Sequence, residues 1–222
     1  MDTSMKGYLS VLKAVSLFKG IDDDELESML GCISAEVKAI GKGSVILLAG
    51  DTPRQVGVVL SGQVHIIRED YDGNRSLIAV LTSGDVFGEA LCCASVSESP
   101  VTVISNLDST VILMSFEKLL YVCPNSCSFH RDLIKNMLRL IADNNLMLQT
   151  HMEILSMKSI RARVLRYIES FAPKHGCEIA IPLNREELAN YLCVERSALS
   201  HELMNMKKDG LIEYRKNKFI LK

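Results

Sequence analysis

The spacing of apolar residues between Arg131 and Leu155 constrains this chain more than any other stretch. Ile134, Leu138, Ile141, Asn145, Leu148, Met152 and Leu155 follow one another in alternating steps of four and three. That heptad rhythm keeps one seam of a helix facing a partner helix along its length. Asn145 stands at a core position of the seam, where a polar side chain lowers stability but favours one register and a two-stranded state. A second stripe, Leu133, Met137, Leu140 and Met147, runs beside the first. Such a helix is expected to pair with its twin on one side and pack on its own domain with the other. A core helix of a monomer is the alternative.

The chain of 222 residues suffices for two small domains, and 48% of it is hydrophobic, so a sizeable core can form. The segment from Met1 to Gly7 is polar and Asp22, Asp23, Asp24 and Glu25 follow soon after, which is unlike a signal peptide. No apolar run approaches the roughly 18 residues a membrane span needs. A cytoplasmic protein with no membrane partner is expected. The seven cysteines are odd in number and lack a spacing framework, so reduced thiols are expected. The net charge of −2 conceals an asymmetry: residues 158–222 hold 13 Lys+Arg against 8 Asp+Glu, and the remainder 12 against 19. A basic C-terminal module on an acidic body suits a polyanionic partner.

Met5 to Phe18 and Asp22 to Leu30 read as short amphipathic helices, the second with acids in its first turn, where the helix dipole favours them. From Ala35 to Ser115, β-branched runs alternate with glycine turns. Val56 to Leu60, Val64 to Arg68, Leu77 to Leu81 and Thr102 to Met114 read as strands, and Asp72-Gly73 as a two-residue hairpin turn. Many short strands of this kind imply an antiparallel roll or sandwich. Glu117 to Val122 reads as a helix that resumes as the long helix after a break at Pro124.

The seam ends near Ser156 to Ser159, the expected hinge, and Ser159 can cap a helix from Ile160 to Phe171. Pro173 to Gly176 reads as a turn and Cys177 to Ile181 as a short strand. Asn184-Arg-Glu-Glu187 is a capping box that opens a helix from Arg185 to Leu192. The turn Cys193-Val194-Glu195 leads to a second helix, Arg196 to Asp209, stopped by Gly210. Ala189 and Leu199 fall where a helix-turn-helix needs a small residue and an apolar plug. Leu211 to Tyr214 and Phe219 to Leu221 form a hairpin across Arg215-Lys-Asn-Lys218, a basic wing. On the second helix Arg196, Ser197, Ser200 and His201 share the exposed face and are expected to reach base edges. Lys207, Lys208, Lys216 and Lys218 are expected at phosphates. A winged helix used only for protein contact is the competing reading.

The segments Gly57-Val-Val-Leu-Ser-Gly62-Gln-Val and Gly84-Asp-Val-Phe-Gly88-Glu89 resemble the cyclic-nucleotide-binding roll of the CRP/FNR transcription regulators. The order of roll, long helix and helix-turn-helix resembles that family across nearly the whole chain. The resemblance implies an α+β fold: an N-terminal antiparallel β-roll (a double-stranded β-helix) with flanking helices over 1–116, a dimerisation helix over 117–157, and a winged helix-turn-helix over 158–222. It also implies a homodimer on an inverted-repeat DNA operator, with RNA polymerase as a further candidate partner.

In the family a glutamate after glycine holds the ribose, and an arginine further along the cassette pairs with the cyclic phosphate. Gly88-Glu89 is present here, but Glu98, Ser99 and Pro100 stand near the arginine's place, and no Lys or Arg lies between Arg75 and Lys118. A buried phosphate without a cation is poorly compensated. At the place of the adenine-contacting Thr-Ser pair stand Leu148 and Gln149. The effector is therefore expected to be an unknown small molecule other than cyclic AMP, near Gly88, Glu89, Ala90, Leu91, Ser99 and Leu148. Glu89 is either a ligand contact or a structural carboxylate capping nearby amides. The recognition helix reads Arg196-Ser197 and His201 where cyclic-AMP regulators carry Arg-Glu and arginine, so the half-site is expected to differ.

Neither a metal nor an iron–sulfur cluster is expected, because only Cys32 precedes the roll and four thiolates must converge on a cluster. Cys92-Cys93, Cys123 and Cys127 are candidate redox thiols, and His65, His130 and His151 isolated candidate haem ligands. A thiol- or haem-based redox sensor on the same scaffold is the alternative function. A module acting on a partner protein is a further alternative. No nucleophile–base constellation is present and no enzyme is expected.

Overall fold

The computed structural model describes residues 7–70, 72–73, 75–120, 128–171 and 178–222. They form two compact units, Met1–Asp143 and Asn144–Lys222. In the first, α1 (Leu9–Ala14), a 3-10 turn (Ser16–Phe18) and α2 (Asp23–Cys32) precede six strands. These are β1 (Glu36–Ile40), β2 (Val45–Leu47), β3 (Gln55–Ser61), β4 (Val64–Glu69), β5 (Arg75–Leu81) and β6 (Val86–Phe87). Helix α3 (Glu89–Cys93) then leads to β7 (Thr102–Ser105), β8 (Ser109–Ser115) and α4 (Phe116–Leu120). The expected helix from Met5 to Phe18 is shorter and ends as a 3-10 turn. The break expected at Pro124 lies outside the described residues.

All strand pairs are antiparallel, in two four-stranded sheets ordered β1-β8-β3-β6 and β2-β7-β4-β5. Val59, Val111 and Leu113 of the first sheet meet Val64 and Val103 of the second inside the roll. On the outer face Val56, Val58, Ile112 and Met114 pack under Leu12, Phe18, Leu26 and Met29 of the N-terminal helices. Strands β3 and β8 are thus buried on both faces, which is why they read as continuous apolar runs rather than alternating ones.

Two expectations are corrected. Thr102 to Met114 is not one strand: β7 and β8 belong to different sheets, and the chain changes sheet over residues 106–108. Gln63 holds that corner, its carbonyl accepting from the Asn106 amide at 2.9 Å and its own amide donating to Ser109 Oγ at 3.0 Å. Asp72-Gly73 is not a two-residue hairpin turn, since the last β4–β5 pair is Glu69 with Arg75 and residues 70–74 lie between. Asp70 instead caps a tighter turn, its carbonyl accepting from the Gly73 amide and its carboxylate from the Asp72 amide.

Helix α5 (Ser128–Ser156) is a single element of 29 residues. Leu133 and Met137 of its second stripe are buried in the core of the first unit, with Leu140 packed against that cluster. Met147, expected in the same stripe, is exposed. The buried Asn136 amide donates to the carbonyls of Leu17 at 3.1 Å and Lys19 at 2.8 Å, fastening the start of the helix to the N-terminal turn. No helix among the described residues is long and apolar enough to cross a membrane.

The second unit contains α6 (Ile160–Phe171), β9 (Glu178–Ala180), α7 (Arg185–Tyr191), α8 (Arg196–Lys208), β10 (Ile212–Arg215) and β11 (Lys218–Leu221). Its core gathers Ile154, Val164, Leu188, Leu199, Leu203 and Phe219. Ser159 caps α6, accepting from the Ala162 amide at 3.1 Å. The wing has three strands ordered β10-β11-β9 rather than a hairpin alone. The turn expected at Pro173 to Gly176 lies outside the described residues, as does the first residue of the strand expected from Cys177.

Gly57 lies on β3 opposite Phe87, and a Cβ there would fall 2.1 Å from the Phe87 ring. Gly57→Ala is therefore expected to lower the unfolding free energy of the first unit by about 1–3 kcal/mol in urea denaturation. Adding Phe87→Leu should recover part of the loss. An unchanged midpoint for Gly57→Ala would contradict this packing.

Candidate nucleic-acid interface and sensor cavity

The capping box at the start of α7 is complete. Asn184 Oδ1 accepts from the amides of Glu186 and Glu187 at 2.9 and 3.0 Å, and Glu187 Oε2 accepts from the Asn184 amide at 2.7 Å. The turn into α8 places Cys193 at φ +52°, a left-handed conformation that favours glycine. Buried Ala189 and Leu199 fill the angle between the helices, as the spacing predicts. Arg163 donates to the Leu192 carbonyl at 3.0 Å, satisfying the end of α7. Arg161 holds α8 at two points, to Glu202 at 2.6 Å and Asp209 at 2.7 Å. The Arg185 guanidinium lies over the Tyr214 and Phe219 rings and donates to the Lys216 carbonyl at 3.0 Å, tying α7 to the wing.

Arg196, Ser197, Ser200 and His201 are all exposed along one side of α8. Asn205 donates to His201 Nδ1 at 3.3 Å, so a neutral His201 presents its Nε2–H outward. Lys207 and Lys208 are exposed in the last turn of α8, the former 5.7 Å from the Tyr214 ring. Lys216 is exposed at the wing tip, but Lys218 is paired with Glu178 at 2.6 Å. Part of the positive charge of this unit is engaged within it. Arg161, Arg166, Lys218 and Lys222 form ion pairs, and Arg163 and Arg185 donate to backbone. Arg196, Lys208, Arg215 and Lys216 carry no ion pair among the described residues. Sequence reasoning did not single out Arg215, at the wing, or Met204. The latter is exposed at helical spacing from Ser197 and Ser200, and that spacing was the available signal.

Of the residues expected around an effector, Gly88, Glu89, Ala90, Leu91 and Ser99 lie in the first unit. Glu89, 8% exposed, accepts hydrogen bonds from its own amide and that of Ala90 at the start of α3. Burial outweighs those bonds and raises its pKa above 4.5. Ser99 is buried and its hydroxyl donates to the Val101 carbonyl at 2.7 Å, while its backbone pairs with Gly50 and Asp51. Leu148 is exposed and belongs to the second unit. Of the six expected residues only Gly88 borders the roll's cavity of about 450 Å³, with Ile46, Leu47, Arg54, Phe87 and Leu113 among its other walls. Arg54 was missed because it precedes the glycine-glutamate pair, outside the stretch where a cation was sought. A second cleft of about 580 Å³ lies beside Asn184, Arg185 and Lys216, at the foot of the wing.

Among the candidate redox and haem groups, Cys92, His65 and His151 are hydrogen-bonded within the fold. Burial, and then Cys93 and Glu89, push the Cys92 thiol up to about 11, and its Sγ donates to the Gln55 carbonyl at 3.6 Å. Burial and Glu89 raise Cys93 as well. Thiols so shifted hold little thiolate at neutral pH. His65 Nε2 bonds Gln63 at 3.1 Å, and His151 Nε2 donates to the Tyr191 carbonyl at 2.7 Å. His130, 1% exposed, has Nε2 3.9 Å from Cys32 Sγ and no partner at Nδ1. Among the described residues no three His, Cys, Asp or Glu side chains cluster as metal ligands. Cys123 and Cys127 lie outside the described residues.

A cyclic nucleotide-binding domain matches residues 37–126 and a Crp-like helix-turn-helix domain matches residues 162–222. The chain belongs to the CRP/FNR superfamily. It is a CRP-family transcription regulator with a cyclic-nucleotide-type roll and a DNA-binding helix-turn-helix. Among its relatives, the probable transcriptional regulator flp of Lacticaseibacillus casei is 25% identical over 210 residues, covering 92% of this chain and 90% of that protein. Electron transport regulator A of Shewanella oneidensis is 23% identical over 220 residues, covering 90% and 80%. A CooA mutant from Carboxydothermus hydrogenoformans superposes with a TM-score of 0.59 at 19% identity, over 96% of this chain and 90% of that one, a likeness of fold.

In this CRP/FNR roll the raised pKa of Glu89 means that the folded chain holds its proton more tightly than the unfolded chain does. The stability from this group is full below the ordinary value of 4.5 and is lost as pH rises through the raised value. Glu89→Gln is neutral at every pH and lacks that loss. In urea denaturation, wild type should therefore gain on Glu89→Gln as pH falls from neutral toward 4.5. A pH-independent difference would contradict the buried carboxyl.

Proposed function

We propose that this regulator acts as a homodimer on an inverted-repeat operator, under the control of a small effector in the roll. The exposed face of α8 carries the reading: Arg196, Ser197, Ser200 and His201 stand clear on a helix whose other sides are fixed by Arg161, Leu199 and Leu203. Arg196 suits a guanine edge or a phosphate, and the outward Nε2–H of His201 suits a purine acceptor. Met204, one turn further along, offers an apolar contact to a thymine methyl. Lys207, Lys208, Arg215 and Lys216 suit phosphates, with Lys218 available only if it leaves Glu178.

The seam of α5 supports dimerisation. Leu138, Leu148 and Met152 are 64%, 62% and 70% exposed, an apolar row too regular for a free surface. Ile134, Ile141 and Leu155 are half-buried on the same seam, and Asn145 is exposed within it. A symmetric dimer would present two recognition helices to half-sites about one helical turn apart. Residues 1–116, 117–157 and 158–222 then serve as sensor, dimer helix and reader, and Ser156 to Ser159 as the joint. RNA polymerase is a further proposed partner, and the cytoplasm the proposed place of action. The effector is not cyclic AMP in this reading, because Glu89 is turned onto its own helix and no cation stands beside Ser99 in sequence.

The operator is found by selection from random duplexes with the full chain. Arg196→Ala should then weaken the selected duplex by roughly 1–3 kcal/mol in an electrophoretic mobility assay. Affinity equal to wild type would remove Arg196 from the interface. Leu148→Lys puts like charges on the seam, and the sedimenting mass should fall from dimer to monomer. A Leu148→Lys protein that stays dimeric would place the interface elsewhere.

A further inference from the structure

The walls of the roll cavity indicate what chemistry it accepts. Ile46, Leu47, Phe87 and Leu113 supply hydrocarbon, and Gln55, Thr52 and Ser115 supply neutral polar groups. Among the described residues Arg54 is the one cation of the lining, and no acid lines it. Among the described residues Arg54 has no ion pair. Its backbone is fixed, because its carbonyl accepts from the Phe116 amide at 3.0 Å just before β3 begins, and its side chain is exposed at the edge of the cavity. Gly88 keeps one wall as bare backbone: its φ is +82° and a Cβ would fall 2.8 Å from the Gln55 carbonyl oxygen. A cavity of about 450 Å³ lies within the range that holds a small organic ligand.

We propose that this cavity binds a small organic monoanion with an apolar body, a carboxylate or sulfonate type of molecule, and that Arg54 is its counter-charge. The proposal rests on the reading of the roll as the sensor and names the class of its effector. Guanidinium is suited to this task, because it pairs a planar oxyanion through two parallel hydrogen bonds and is less strongly hydrated than ammonium. Transfer of the apolar body from water to the hydrocarbon walls drives binding, and the pair offsets desolvation of the anion. A nucleotide fits less well. Its ribose and base need several fixed polar partners, and Glu89 is bound to amides of its own helix.

The test titrates the full-length protein with anilinonaphthalene sulfonate, an apolar arene bearing one anionic group, and follows its fluorescence. One saturable site per chain is expected, weakened about tenfold or more by Arg54→Gln. The uncharged analogue N-phenylnaphthylamine should bind wild type and Arg54→Gln alike. Ile46→Trp, which fills the cavity, should abolish both, with circular dichroism showing that each variant is folded. Octanoate and benzoate should displace the probe, and octanol and benzamide should not. Sulfonate binding unchanged in Arg54→Gln, or loss of both probes together in that variant, overturns the proposal. Displacement by cyclic AMP in preference to the carboxylates overturns it too. The selection from random duplexes is scored separately: a wild type that enriches no sequence overturns the DNA-reading function and leaves the probe result standing.

Discussion

Burial of β3 and β8 on both faces is the constraint on which the sensor unit depends. Their inner side chains close the roll against β4 and β7, and their outer ones need a cover. The N-terminal helices provide it, together with Leu133 and Met137 of α5. Because that stripe is committed to the roll, and Asn136 is bonded to the N-terminal turn, the neighbouring row is divided: Ile141 still packs against the same cluster, while Leu138 faces away. The exposure of Leu138 follows from the burial of Met137 on the same helix.

In the reader unit the same logic is electrostatic. Guanidinium groups fix elements at their ends, where helix carbonyls and wing backbone lack partners: Arg163 at α7, Arg185 at the wing, Arg161 across α8. Of these only Arg161 is offset by carboxylates; Arg163 and Arg185 keep their charge while holding the backbone. Apart from Lys158 ahead of α6, the exposed cations of this unit that carry no ion pair among the described residues lie at the first and last turns of α8 and at the wing.

The sensor unit shows how burial redirects chemistry. A carboxyl and two thiols lie within five residues of one short helix, yet each is shifted toward its neutral form. None of the three is suited to act as an anion there. The charged residue among those lining the cavity is of the opposite sign: Arg54, exposed just before β3.

The helix-turn-helix was legible because its determinants are local. A capping box, a left-handed turn at Cys193 and a stop at Gly210 each act within four residues of chain, and the structure places them as the spacing requires. The heptad row was legible for the same reason, as was the roll's content of strands. Sequence could not show that Thr102 to Met114 serves two sheets, since an apolar run carries no mark of which partner it pairs with. Nor could it show that Lys218 is neutralised by Glu178 on β9, that Ser99 bonds only to backbone, or that Met147 falls outside the buried stripe. Short-range periodicity and capping fixed the elements and their order. Which side chains share a cavity, which charges cancel and which carboxyl is desolvated depend on contacts between distant residues, and only the tertiary structure decides those.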